Sequence, residues 1–234
     1  MTYVDWTALG LFALIWFFYE PILKHVSRRT GAITLDMPAV RAAWMRAMTR
    51  REVRLLDSQL LGHAINSASF FASANLILIA AVAGALFGGG IDLGPVKDFG
   101  AALGSSKQLE AKLGLVTVCL ARGFLAFIWS IRQLNYCLAL LGAAPEGADE
   151  ARSRAFADAA AEVLNPALSE FSHGVRAYYF ALAAGAWLFG PVPFAAATLG
   201  AFVLLAWRQA RSPAARGIRR TRELLEEQNS REGE

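Results

Sequence analysis

The chain has 234 residues, of which 56% are hydrophobic and only 18% charged, with a mean hydropathy of +0.38. Continuous apolar runs near the roughly 20 residues needed to cross a bilayer argue for membrane helices and exclude a β-barrel, whose strands alternate over about ten residues. The net charge of +4 comes from arginines clustered in particular segments, a pattern of membrane orientation rather than of nucleic-acid binding.

In chain order, residues 6–23 form the first apolar run. Asp5 is the only charge before it, and no small-residue cleavage site follows, so it reads as a retained first span. Residues 24–56 hold eight Lys/Arg against two acids, which marks a cytoplasmic loop. A helix is expected from about residue 38, with Trp44, Met48, Val53 and Leu55 near one apolar side. A basic amphipathic helix of this kind can lie on an anionic membrane surface. The second span is expected over 62–87. The glycine-rich, charge-neutral stretch 88–112 follows and reads as external.

The third helix is expected over 113–141, and a short helix over 149–164 that Pro166 interrupts. Residues 175–207 are nearly all apolar, about 50 Å as one helix, too long for one untilted span. "GPVP" at 190–193 divides them. The tail from Arg208 carries seven arginines, five of them by residue 220, and these belong on the cytoplasmic side.

The fold expected is an all-α polytopic transmembrane bundle plus the cytoplasmic amphipathic helix. Five crossings are preferred; four, with one long kinked helix, is the runner-up. One transmembrane domain covers 1–210, with cytoplasmic loops 24–58 and 143–174. A basic then acidic cytoplasmic tail covers 211–234, fraying from about Glu223. The N-terminus lies outside and the C-terminus in the cytoplasm, in a bacterial inner (cytoplasmic) membrane.

Polar residues within the apolar segments fall into three groups. Asp57, Gln59, His63, Asn66 and Ser73 recur every few residues, so the last four form one stripe of a helix. Arg132, Gln133, Asn135 and Tyr136 sit at the cytoplasmic end of the third helix, with Arg122 deeper. Glu170, His173, Arg176 and Tyr179 sit where the chain re-enters. The three groups are expected to form one polar layer, with Arg132 and Asn135 pointing into the bundle toward Asn66 and the 176–179 turn. An Arg in a bilayer costs on the order of 3 kcal/mol unless it finds a partner. At least one Arg–carboxylate pair is therefore expected with Glu20, Asp57 or Glu170. Such layers also serve simply to join helices, at about 0.6 kcal/mol per contact.

Small residues at intervals of four, at Ala80, Gly84 and Gly88, at Ala177, Ala181 and Gly185, and at Ala196 and Gly200, let helices approach closely. Cys119 and Cys137 share one helix about 27 Å apart and cannot pair. Catalytic motifs are not found: no phosphate-binding loop, no GxSxG, and three histidines (His25, His63, His173) without ligand spacing. The expectation is a protein that is not an enzyme and uses no metal or cofactor.

The stretches "LDSQLLGHAINSASFFASANLIL", "SIRQLNYCLALLGAAP" and "FSHGVRAYYFALAAGAW" resemble the uncharacterised bacterial membrane family catalogued as domain of unknown function 599. The matching residues are Asp57, Gln59, Asn66, Phe70, Ala72 and Ser73; Ser130, Ile131, Arg132 and Asn135; and Arg176, Tyr178 and Tyr179. The family often has Arg-Asn where this chain has Ile65-Asn66. The resemblance covers roughly residues 5–208 and implies a membrane location and a helical fold, without an activity.

Two functions fit these observations. One is a homo-oligomeric channel- or pore-like protein, with Arg132 and Arg176 making the inner mouth attractive to anions. The other is a non-catalytic structural, lipid-binding or accessory subunit. Its basic segments 24–54 and 208–222 would attract anionic headgroups at about 1 kcal/mol per basic residue. The partners expected are the bilayer, anionic headgroups and further copies of the chain, and not nucleic acid.

Overall fold

Alanine and leucine dominate the chain, and both favour helix. The computed structural model describes residues 2–27, 31–87 and 105–232, and all regular structure among them is helical. The helices are α1 (Tyr3–Ser27), α2 (Ile33–Thr49), α3 (Leu55–Phe87), α4 (Ser106–Ala143), α5 (Glu150–Gly185), α6 (Pro191–Ala210) and α7 (Pro213–Glu232). A 3₁₀ turn, Ala186–Phe189, joins α5 to α6. Four helical segments are long and apolar enough to cross a membrane: Tyr3–Leu23, Leu55–Phe87, Ser106–Ala143 and Pro191–Gln228, the last owing its apolarity to α6. Most of the stretch 88–112 expected to be external lies outside the described residues, as does Gly88 of the first small-residue ridge.

The division expected at "GPVP" is present. Gly190 adopts φ +118, a conformation that L side chains rarely take, and Pro191 opens α6 where its missing N–H costs nothing. The interruption expected at Pro166 is not. α5 runs through it, because the face around it is committed to packing. Ala157, Ala160, Ala161, Leu164 and Ala167 are all at most 4% exposed. That burial outweighs one lost backbone hydrogen bond. α7 is helical to Glu232.

The chain forms two compact units. The first comprises Met1–Leu23, Phe71–Ala126 and His173–Ala206. Its core is aromatic: the Phe194 ring lies 5.3 Å from Phe12 and 4.9 Å from Trp187. Trp187 Nε1–H donates to Asp5 Oδ1 at 3.0 Å, tying the start of α1 to the 3₁₀ turn.

The second unit comprises Lys24–Phe70, Phe127–Ser172 and Trp207–Glu234. Its core is aliphatic, built from Met45, Met48, Leu61, Leu134, Leu164 and the buried alanines of α5. Arginines tie it together. Arg54 donates to the Ala144 and Pro145 carbonyls at 2.9 and 3.1 Å, satisfying orphan groups past the end of α4. Arg41 donates to the Asn165 carbonyl at 3.3 Å, and its burial lowers its pKa from the usual value. Arg46 pairs with Asp158 at 3.0 Å, and Arg222 with the fully buried Asp36 at 3.1 Å.

α2 corrects the amphipathic-helix expectation. It ends at Thr49, so Val53 and Leu55 do not belong to it and stand 71% and 62% exposed. Met45 and Met48 on its apolar side are buried in the core of the unit, so that side covers protein rather than a membrane surface.

Candidate functional site

Within the first unit, α1 carries Trp16, Phe17, Tyr19, Glu20 and Pro21. The last turns of α5 carry His173, Arg176, Ala177 and Phe180, spaced three, one and three apart and therefore on one face. With Arg122 of α4, the residues other than Tyr19 line a cleft of about 220 Å³.

Glu20 is its centre. One carboxylate oxygen, Oε1, accepts from His173 Nε2 at 2.6 Å and from Arg176 Nη2 at 3.0 Å. The Arg176 guanidinium also lies 4.6 Å from the centre of the Tyr19 ring, a cation–π contact that fixes its plane. The three side chains keep 35% (Glu20), 23% (His173) and 18% (Arg176) exposure, so the cluster is reachable. A guanidinium has five N–H donors, and among the described residues Arg176 spends one, on Glu20. The free donors suit an oxyanion.

The wall behind the cleft is tight. A Cβ on Gly123 would meet Ala177 Cβ and Asn75 Nδ2 at 2.9 Å, so only glycine lets α4 pass α5 so closely beside Arg122. Asn75 is 1% exposed, and neither end of its amide has a hydrogen-bond partner. Nearby, Tyr178 O–H donates to the Phe71 carbonyl at 2.9 Å.

Of the sequence-derived candidates, the fold brings Arg122, His173 and Arg176 together in this cleft. Tyr179 is half-buried in the same unit, and Glu170 half-buried in the other. Asp57 is sealed in the second unit, fully buried, accepting from Trp44 Nε1 at 2.7 Å and from Arg51 Nη1. Gln133 is half-buried, with Oε1 unpartnered. Gln59, His63, Asn66 and Ser73 do share one stripe, but it is exposed.

Arg132 and Asn135 require a correction. Both are exposed, as is Tyr136. The buried face of this part of α4 is Ser130, Leu134, Cys137 and Leu141, at helical spacing, which turns 132, 135 and 136 outward. Each makes one hydrogen bond within α4: Arg132 Nε donates to Tyr136 Oη at 2.6 Å, and Asn135 Nδ2 to the Ile131 carbonyl at 2.8 Å. The polar residues thus do not converge on one layer; they divide between a cleft, a sealed carboxylate and outward faces. The expected Arg–carboxylate pairing is present at two of the carboxylates named for it: Arg176 pairs with Glu20 and Arg51 with Asp57. Glu20 was named only as a possible counter-ion, although a carboxylate before proline at the end of an apolar run is itself a signal. Asn75 carried none beyond its polarity. Among the described residues, no group of three or more His, Cys, Asp or Glu could hold a metal ion.

Among the described residues all regular structure is helical, and four segments are long and apolar enough to cross a bilayer, the length and composition of a helical membrane protein. The family described as "Protein of unknown function, DUF599" matches residues 7–214, and the chain belongs to that family. No curated protein and no solved structure matches it.

Proposed function

We infer that this is a non-catalytic membrane protein that holds the anionic headgroup of a lipid in the Glu20–His173–Arg176 cleft. The carrying observation is Arg176, held by Glu20 and Tyr19 with most of its donors uncommitted, in a reachable cleft beside Arg122 and His173. Apolar Trp16, Phe17 and Phe180 line the same cleft and suit the start of an acyl chain. The test is retention of phosphatidylglycerol against phosphatidylcholine by the purified protein in native mass spectrometry. Preferential retention that Arg176→Ala weakens about tenfold supports the reading. Equal retention of both lipids, or no effect of the substitution, sinks it. Binding of inorganic phosphate alone with equal affinity would transfer the site from a headgroup to a free anion.

The reading includes five crossings of a bacterial cytoplasmic membrane, with the N-terminus outside and the C-terminus inside. Its support is charge: the basic segments 24–54 and 208–222, which belong on the cytoplasmic side, both fall within the second compact unit. A reporter fused after Arg220 is expected to read cytoplasmic, and one within 92–106 periplasmic; a periplasmic C-terminus restores four crossings.

A homo-oligomeric, pore-like assembly is the second reading, favoured by the outward polar stripe of α3. Ion flux into liposomes, altered by Arg176→Ala, would select it over headgroup binding.

A further inference from the structure

The outward faces of the apolar helices differ in chemistry. On α1 it includes Trp6, Leu14, Phe17 and Phe18, and on α6 Val192, Leu199 and Val203, all suited to acyl chains. The outward face of α3 instead reads Gln59, His63, Asn66, Phe70, Ser73 and Ile77, every one exposed. Among the described residues, the Gln59, His63, Asn66 and Ser73 side chains make no hydrogen bond. Exposure alone does not set them apart, since Arg132 and Asn135 of α4 are exposed too. Those two, however, each make a side-chain hydrogen bond within their own helix. The polar groups of α3 do not, and for Asn66 and Ser73, inside the expected span, lipid cannot supply the partners.

The spacing is informative. The six positions alternate by four and three, the seam of a left-handed helix pair, and Ala80 and Gly84 continue it with small residues. In a parallel pair related by a twofold axis, each seam residue meets its own counterpart. That suits this composition: the amides of Gln59 and Asn66, a neutral His63 imidazole and the Ser73 hydroxyl each carry a donor and an acceptor. Like therefore satisfies like, with no fixed charge on the seam to repel.

We propose that this face of α3 is the interface between two parallel copies of the chain. The proposal is independent of the headgroup reading, since no seam residue lines the cleft. The experiment is disulfide cross-linking in native membranes, in a chain whose Cys119 and Cys137 are replaced by alanine. Ser73→Cys and Ile77→Cys lie on the seam; Leu60→Cys and Leu78→Cys are exposed on the same helix but about 100° away. Disulfide geometry requires close, converging Cβ atoms, so the seam positions are expected to yield roughly tenfold more covalent dimer than the flanking ones. Equal yields at all four positions overturn the proposal. The unsubstituted protein gives a second readout: a dimer in native mass spectrometry supports the seam, and a monomer or an assembly with an unlike subunit overturns it.

Discussion

In each unit a carboxylate oxygen accepts from two different residues, Asp57 in one and Glu20 in the other, and the two make an instructive pair. Asp57 takes Trp44 and Arg51 and is wholly buried. Glu20 takes His173 and Arg176 and remains 35% exposed beside a cleft. The donor chemistry is nearly the same. Asp57 is a sealed knot joining the end of α2 to the start of α3, whereas Glu20 orients an arginine that keeps donors to spare. Access, rather than the presence of charge in an apolar chain, separates a structural cluster from a binding one.

The comparison breaks most visibly at Asp57. Asp57→Ala leaves the Trp44 N–H and the Arg51 guanidinium, whose side chain is 38% exposed, without their acceptor, and is expected to cost about 1–3 kcal/mol, read as a fall in unfolding temperature. Asp57→Asn keeps an acceptor for Trp44 and falls between Asp57→Ala and the wild type. A core substitution of the second unit sets the scale: Leu164→Ala, at a fully buried position, is expected to cost about 2–5 kcal/mol in the same measurement.

At Glu20 the expected effect is on binding rather than folding. Glu20→Gln removes the anion that competes for Arg176, so anionic-lipid retention is expected to rise while the protein still assembles. A fall in retention would mean that Glu20 contacts the ligand itself. Behind the cleft, Gly123→Ala places a methyl 2.9 Å from Ala177 Cβ and Asn75 Nδ2, with an expected cost of about 1–3 kcal/mol from overpacking. The smallest effect belongs to Arg132→Ala. Its partners are on its own helix, so the unfolding temperature is expected to be unchanged; a clear drop would mean that Arg132 has a partner outside the single chain.

Much of the helical pattern was legible in the chain because it rests on local chemistry. Apolar runs of sufficient length announced the spans, and glycine with prolines at 190–193 announced the break before α6. What was not legible depended on packing against distant segments. Pro166 reads as a helix end, and only the alanine face of α5, buried by residues far away in sequence, carries the helix through it. Arg132 and Asn135 share a helix side with Tyr136, but sequence cannot say which side is buried; Ser130, Leu134 and Cys137 settle that by contacts with other helices. For the cleft, His173, Arg176 and Arg122 were visible as polar residues in apolar surroundings. Their meeting at Glu20 spans 156 residues of chain, a separation that no local spacing encodes.

The bond between Asp5 and Trp187 also bears on how the protein is made. The two residues are 182 positions apart. At about 5–20 residues per second, the ribosome delivers Trp187 some 10–40 s after Asp5. During that interval α1 is already in place with a carboxylate lacking its indole donor. The N-terminal helix is thus inserted early but locked late. In nascent chains halted before residue 187, Asp5 keeps only its local partners, the N–H and hydroxyl of Thr2 at 2.7 and 2.9 Å, and ties α1 to nothing beyond its own first turn.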